Sequence, residues 1–214
     1  MKKIAIYGSG GFGREVQMLI NDINKIEPTY KIIGYIDDNK KVGDLVNGIP
    51  VLGGKDYLNS VSEPICLTIA IGSPDTKKLI VQSISNKYIS FPTLIHPTCI
   101  IGNDSITKIG EGCIICAGNI ITTNIIIGDF VILNLMCTVG HDTTIRSYCS
   151  FMPSVNISGE VEIGEQVYVG TGAKIINQLK INNNTIIGSG AVVTTSLPSN
   201  CTAVGIPARV IKQR

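Results

Sequence analysis

The chain has 214 residues, 44% of them hydrophobic, with no Trp and only 5% aromatics, which predicts two compact domains whose cores rest on aliphatic side chains. A formal charge of +2 from 18 basic and 16 acidic residues leaves no basic stripe to neutralise several phosphates, so nucleic acid is not an expected partner. No run of about 18 apolar residues occurs and MKKIAIYGSG passes straight into glycines, so neither a membrane span nor a signal core is expected and the chain reads as cytoplasmic.

In chain order, KKIAIY predicts a strand running into GSGGFG, followed by a helix from Arg14 to Ile26. KIIGYIDD is a second strand, CLTIAIG a third and TKKLIVQSISN a further helix. This alternation over residues 1–92 predicts a small parallel sheet flanked by helices, about half of a doubly wound fold, hence a half-Rossmann domain. Gly8, Gly10 and Gly13, with Gly11 among them, form G-x-G-x-x-G at the first strand-to-helix turn. Glycine lets the backbone approach a diphosphate there, and a helix N-terminus favours negative charge. Asp37, with Asp38 beside it, ends the second strand where it can accept from ribose hydroxyls, and Gly72 and Ser73 close the third strand to complete a pocket. By itself this pattern also fits NAD binding or a ligand-free glycine turn.

At FPTLIHP, between Pro92 and Pro97, the pattern changes, which divides the chain into domains at 1–92 and 93–198 and a tail at 199–214. Steps of six from Ile109 to Val193 meet fifteen apolar residues in succession, at odds of about one in 30,000 if half of all positions are apolar. Glycine often follows, as at Gly110, Gly128, Gly140, Gly164, Gly170 and Gly188, and the fifth place is mostly small or medium-sized. A period of six fits neither an amphipathic helix nor an alternating strand. It is that of a parallel β-helix with three short strands per coil, the first place pointing inward and the fifth filling the tight interior. Residues 109–198 would make five coils, stacked at roughly 4.8 Å into a prism about 24 Å tall. The second-place glycines suit a bend at positive φ.

Seven cysteines, an odd number, argue against a disulfide framework or structural zinc. Cys113, Cys137, Cys149 and, in the earlier register, Cys99 fall in the small inward slot and serve there as small hydrophobes. His141 and Asp142 take the third and fourth places of their hexad, at an outward corner. An exposed imidazole beside a carboxylate is a candidate general base, since imidazole ordinarily titrates near pH 6.5. One coil below His141 stands Gly159, which leaves room beside the base and offers an unobstructed N–H to a developing oxyanion; a turn glycine at positive φ is the plainer reading. Asn134, in a second place, could take the left-handed bend.

The short α/β domain with a glycine-rich first turn, I-H-P-T-C-I-I-G at 95–102, V-G-H-D at 139–142 and the ending A-V-G-I-P-A-R-V-I-K at 203–212 together resemble one family over almost the whole chain. It is the bacterial sugar O-/N-acyltransferase family with a left-handed β-helix, which includes UDP-4-amino-sugar N-acetyltransferases and sialic acid O-acetyltransferases. The resemblance implies a left-handed coil, against the right-handed crossover rule. It further implies His141 as catalytic base oriented by Asp142, Asn134 as an active-site residue, and the Gly159 N–H as oxyanion donor. For the acyl donor, acetyl-CoA, it implies contacts at Gly159, Gly172, Ala191 and Arg209; Arg209, Lys212 and Arg214 are read either as meeting coenzyme A phosphates or as a solvated basic end. Gly8, Gly10, Gly11, Gly13, Asp37, Asp38 and Gly72 would hold a nucleotide sugar, UDP-linked by the same resemblance. Two departures stand out: Ser150 lies where the family often has a second His, and Phe12 where it often has another. His96 reads as a structural linker residue.

Leu135 and Met136 at a corner, and Ile114, Ile120, Ile126 and Ile132 in outward sixth places, form apolar surface that wants a partner. Part of it would be covered by the first domain, and the resemblance implies a homotrimer with clefts between prisms. The expected function is therefore an acetyl-CoA-dependent N-acetyltransferase for the amino group of a nucleotide-linked sugar in polysaccharide biosynthesis, without a metal. The alternative is O-acetylation of sialic acid or another sugar hydroxyl. A zinc-dependent carbonic anhydrase lacks the necessary histidine cluster, and a non-enzymatic nucleotide sensor is the reading from another class.

Overall fold

The computed structural model describes residues 1–102 and 105–213. The first domain comprises β1 (Lys2–Tyr7), α1 (Gly11–Ile26), β2 (Tyr30–Ile36), β3 (Leu45–Val46), β4 (Ile49–Gly53), α2 (Lys55–Ser60), β5 (Ile65–Ile69), α3 (Pro74–Ser83) and β6 (Ile89–Ser90). Its sheet runs β3-β4-β2-β1-β5-β6, parallel except for the β3–β4 hairpin. Val16, Leu19 and Ile20 of α1 are buried, at the i, i+3, i+4 spacing that seats a helix on a sheet. α1 starts at Gly11, three residues earlier than expected, because the glycine turn itself opens the helix. α3 begins at Pro74, with Ser73 Oγ accepting the Thr76 N–H at 3.3 Å, a cap that stops the chain from entering the helix elsewhere. The hairpin turn Asn47-Gly48, both at positive φ, is the residue pair that closes β3–β4, a signal present in the sequence.

The second domain is a left-handed β-helix with three faces. Face A contains Leu94–Ile95, Ile114–Ile115, Ile132–Leu133, Ser150–Phe151, Tyr168–Val169 and Ile186–Ile187. Face B contains Ile100–Ile101, Ile120–Ile121, Thr138–Val139, Asn156–Ile157, Lys174–Ile175 and Val192–Val193. Face C contains Lys108–Ile109, Ile126–Ile127, Thr144–Ile145, Glu162–Ile163 and Lys180–Ile181. First- and fifth-place side chains form one continuous core. Cys113, Cys137 and Cys149 are fully enclosed in it and Cys99 packs against it, so the inward slots are filled as expected.

One expectation needs correction. The bend residue is in the fourth place: φ is between 56° and 73° from Gly112 to Gly190 in every hexad, at Asn124, Met136, Asp142 and Tyr148 among others. The second-place glycines serve close approach, since a Cβ on Gly140 would stand 2.5 Å from the Gly159 nitrogen in the next coil. The tail is built of two strands. Cys201–Gly205 extends face A beside Ile186–Ile187, and Ala208–Gln213 returns antiparallel, with Cys201, Ala203 and Ala208 in the core. Arg214 lies outside the described residues.

The first domain sits on face A. Leu94, Ile114 and Ile132 join Ile4, Val16 and Leu19 in one apolar cluster, which accounts for two of the four outward isoleucines. Cys113 and Cys116 are spaced as C-x-x-C, yet Cys113 points into the prism and Cys116 out into this cluster, and all seven cysteines are free. Phe130 stacks on Tyr148 with centroids 5.5 Å apart and meets Phe91 at 5.2 Å. His96 bonds Asp22 of α1 at 3.2 Å and Thr98 at 2.8 Å, a structural tie between the domains. No helix among the described residues is long and apolar enough to cross a membrane.

Candidate active site

His141 lies on the corner between faces B and C, raised by the left-handed bend at Asp142 (φ 58°). Both side chains are about half exposed, and His141 Nδ1 stands 2.8 Å from Asp142 Oδ2. Asp142 Oδ1 accepts from Asn124 Nδ2 at 2.9 Å. These two bonds, that from Asn124 first, hold the Asp142 carboxyl below its ordinary range. A carboxylate only accepts, so Nδ1 carries the hydrogen in the neutral ring and Nε2 keeps its lone pair. The ring lies over Gly159: a Cβ there would be 2.5 Å from Nε2 and 2.6 Å from Cε1. Gly159 is not at positive φ, so it makes no left-handed turn, and clearance for the imidazole is the reason for glycine. Among the described residues no group accepts from its N–H.

Asn134 is on the neighbouring corner, between faces A and B, and is not beside His141 of the same chain. Its backbone is not left-handed; Met136 makes that bend. Asn134 Oδ1 accepts the Leu135 N–H at 2.7 Å, and its carbonyl accepts from the buried Asn119 at 2.9 Å. Asn119 breaks the small, apolar run of fifth places, a signal that could have marked this corner in advance. Gly172 is on the same A–B corner two coils on, with open space where a side chain would be. Ala191, expected as a cofactor contact, is only 1% exposed, with its N–H bonded to Gly188 and its carbonyl accepting from Lys174, so it offers no free group to a cofactor. Arg209 is exposed on the C-terminal hairpin, its guanidinium on the Ala208 carbonyl at 3.0 Å.

In the first domain Gly10 caps α1 without a side chain, and Gly10 and Gly11 border open space. Gly13 is required because a Cβ would run into the Gly8 carbonyl. Asp37 Oδ2 accepts from the Ser9 N–H at 3.0 Å and from its hydroxyl, and Oδ1 from the Asn39 N–H at 3.0 Å. Burial pushes the Asp37 carboxyl up, but these donors outweigh it and leave it below its usual range. Asp38 accepts from the Tyr7 hydroxyl and, at 2.8 Å, from the Lys55 N–H that opens α2. Asp37 therefore shapes the glycine loop and Asp38 ties the end of β1 to the start of α2, tasks that spacing did not reveal. Gly72 and Ser73 line a cleft of about 420 Å³ against Met152, Gln166, Tyr168 and Ile186 of the prism. Phe12 packs against the α1 core, and Ser150 is buried under Lys77, whose Nζ donates to Ser150 Oγ at 2.9 Å and the Cys149 carbonyl at 3.0 Å.

The fold is a hexapeptide-repeat left-handed β-helix joined to a small α/β domain. Residues 3–84 match the family described as the PglD N-terminal domain. A GDP-perosamine N-acetyltransferase of Escherichia coli O157:H7 is 34% identical over 221 aligned positions, spanning 100% of this chain and 98% of the relative. A perosamine N-acetyltransferase mutant from Caulobacter crescentus, solved with CoA and GDP-perosamine, is 26% identical with a TM-score of 0.86, covering 100% and 98% of the two chains. The acetyltransferase domain of PglB from Neisseria gonorrhoeae FA1090, solved with acetyl coenzyme A, is 29% identical with a TM-score of 0.86, covering 98% and 99%. The chain belongs to the bacterial sugar acetyltransferases that join a PglD-type N-terminal domain to a left-handed β-helix.

Proposed function

We propose that this chain transfers the acetyl group of acetyl-CoA to the amino group of a nucleotide-linked amino sugar, with His141 as general base. The observation that carries this reading is the imidazole, tethered through Nδ1 to Asp142 and lying with Nε2 over the bare Gly159. The sugar nitrogen attacks the thioester carbonyl and its proton passes to Nε2. The Gly159 N–H supports the oxyanion, and collapse expels the coenzyme A thiolate, which takes the proton back from the imidazolium. Transfer is direct. Burial pushes the Cys149 thiol up to about 12 and those of Cys113 and Cys137 up to about 11, so these thiols are poor nucleophiles. Gly8, Gly10, Gly11 and Gly13 receive the diphosphate at the start of α1, and the Gly72 cleft takes part of the sugar nucleotide. The relatives named for GDP-perosamine favour an amine acceptor over a hydroxyl and widen the expected nucleotide from UDP to GDP.

The working unit in this reading is a homotrimer. The first domain covers face A, whereas His141 stands on the B–C corner. Both corners that border face B carry candidate residues: His141, Asp142 and Gly159 on one, Asn134 and Gly172 on the other. Face B also keeps an apolar stripe, Ile100 at 65% and Ile120 at 39% exposed. Three prisms with face B toward a threefold axis would bury that stripe and set the B–C corner of one copy against the A–B corner of the next. Incubation with acetyl-CoA and either a GDP- or UDP-linked amino sugar, followed by thiol detection and mass spectrometry, tests the activity. An acetamido product supports it; acetylation of sialic acid alone, or of nothing, contradicts it.

A further inference from the structure

The fourth-place residues on the B–C corner run Asn124, Asp142, Glu160, Gln178, with φ of 59°, 58°, 58° and 62°. Their side chains thus leave successive coils in the same direction, about one coil spacing apart. Amides and carboxylates pair along this column: Asn124 Nδ2 donates to Asp142 Oδ1 at 2.9 Å, and Gln178 Nε2 to Glu160 Oε2 at 3.1 Å. The Thr123 hydroxyl, 3.4 Å from Asn124 Oδ1, fits an amide with its NH2 turned toward Asp142. The two oxygens of Asp142 are consequently divided, one on Asn124 and the other on His141 Nδ1. A carboxylate without the first bond turns readily about its last torsion, which is broad and roughly twofold.

We propose that Asn124 is a positioning residue of the transfer reaction: its amide pins the Asp142 carboxylate, which keeps the imidazole proton on Nδ1 and the Nε2 lone pair facing the space over Gly159. The inference deepens the reading of His141 as base and rests on it. Asn124 itself meets no reacting atom. A neutral amide suits the task because it donates a hydrogen bond without adding a charge that would compete with the imidazolium for the carboxylate.

The chain contains only two His, so the ring nitrogens of His141 can be resolved by 15N NMR and assigned with His141→Ala. Asn124→Gly keeps the left-handed backbone without strain. The expected result is a wild-type His141 protonated on Nδ1, and in Asn124→Gly a shift toward the Nε2-protonated tautomer with an unchanged melting temperature. With turnover as readout, Asn124→Gly lowers kcat on the order of ten-fold, leaves the KM for acetyl-CoA in place, and adds no further loss to Asp142→Ala. Asn124→Ser, which also loses the amide, should behave alike. An unmoved tautomer in Asn124→Gly overturns the proposal, as does a kcat loss that adds fully to that of Asp142→Ala. The two failures are separable: a tautomer shift in a chain without acetyl transfer defeats the base assignment, whereas intact transfer with an unmoved tautomer defeats only the role of Asn124.

Discussion

At the scale of single residues, the site depends on a side chain that is absent. Gly159→Ala would place a methyl carbon 2.5 Å from His141 Nε2, so the ring must swing away. Because Gly159 is not left-handed, alanine strains no backbone there. The expected outcome is a fall in kcat/KM of roughly 100-fold, the cost of misplacing a reacting group by about 1 Å, with thermal unfolding unchanged. The stacking of Gly159 beneath His141 was legible in the sequence because the coil repeat fixes which residues superpose. The duties of Asp37 and Asp38 were not. Their partners, Ser9, Tyr7 and the Lys55 N–H, are chosen by how three loops close together, and spacing carries no record of that.

At the scale of elements, the hexad was readable because each of its inward places meets one environment in every coil. Glycine is a poor signature of the bend, because the coil holds even Phe130 and Tyr148 at positive φ. The junction of α3 with the prism left no sequence signal. Lys77 is 1% exposed there, and burial pushes its ammonium down from 10.5 to about 7. Below about pH 7 both the folded and unfolded chains hold this proton, and the penalty of burying it is complete. As pH rises from 7 to 10.5 the unfolded chain holds more protons than the folded one, so stability contributed by this site increases. Lys77→Met should therefore stabilise the protein at pH 7. Denaturant unfolding at several pH values should show the wild-type deficit shrinking by up to about 1.4 kcal/mol per pH unit across that window. A deficit independent of pH across that window would mean that Lys77 keeps its proton in the fold as firmly as in the unfolded chain, with no downward shift.

At the scale of the whole molecule, the candidate residues divide between two corners of one prism, and the proposed homotrimer would bring the two corners of neighbouring copies together. Light scattering should give three copies of the 22.8 kDa chain, about 68 kDa. Ile120→Glu, on the exposed stripe of face B, should yield folded monomers with little transfer activity, because an apolar patch becomes a charged one. A mixed assembly of His141→Ala chains with chains carrying Gly10→Val, whose side chain would enter open space at the glycine loop, should regain part of the activity that each lacks alone, provided the base of one copy serves the nucleotide domain of another. The outward isoleucines showed in the sequence that the prism needed a cover, supplied in part by the first domain; that it covers Ile114 and Ile132, and that Ile120 remains bare, required the fold.

The most direct measurement is thiol release from acetyl-CoA in the presence of a nucleotide-linked amino sugar, comparing wild type with His141→Ala. An imidazole that accepts the amine proton predicts a rate lower by on the order of 10²- to 10⁴-fold in the variant, with an unaltered circular dichroism spectrum. Equal rates in the two proteins would contradict it.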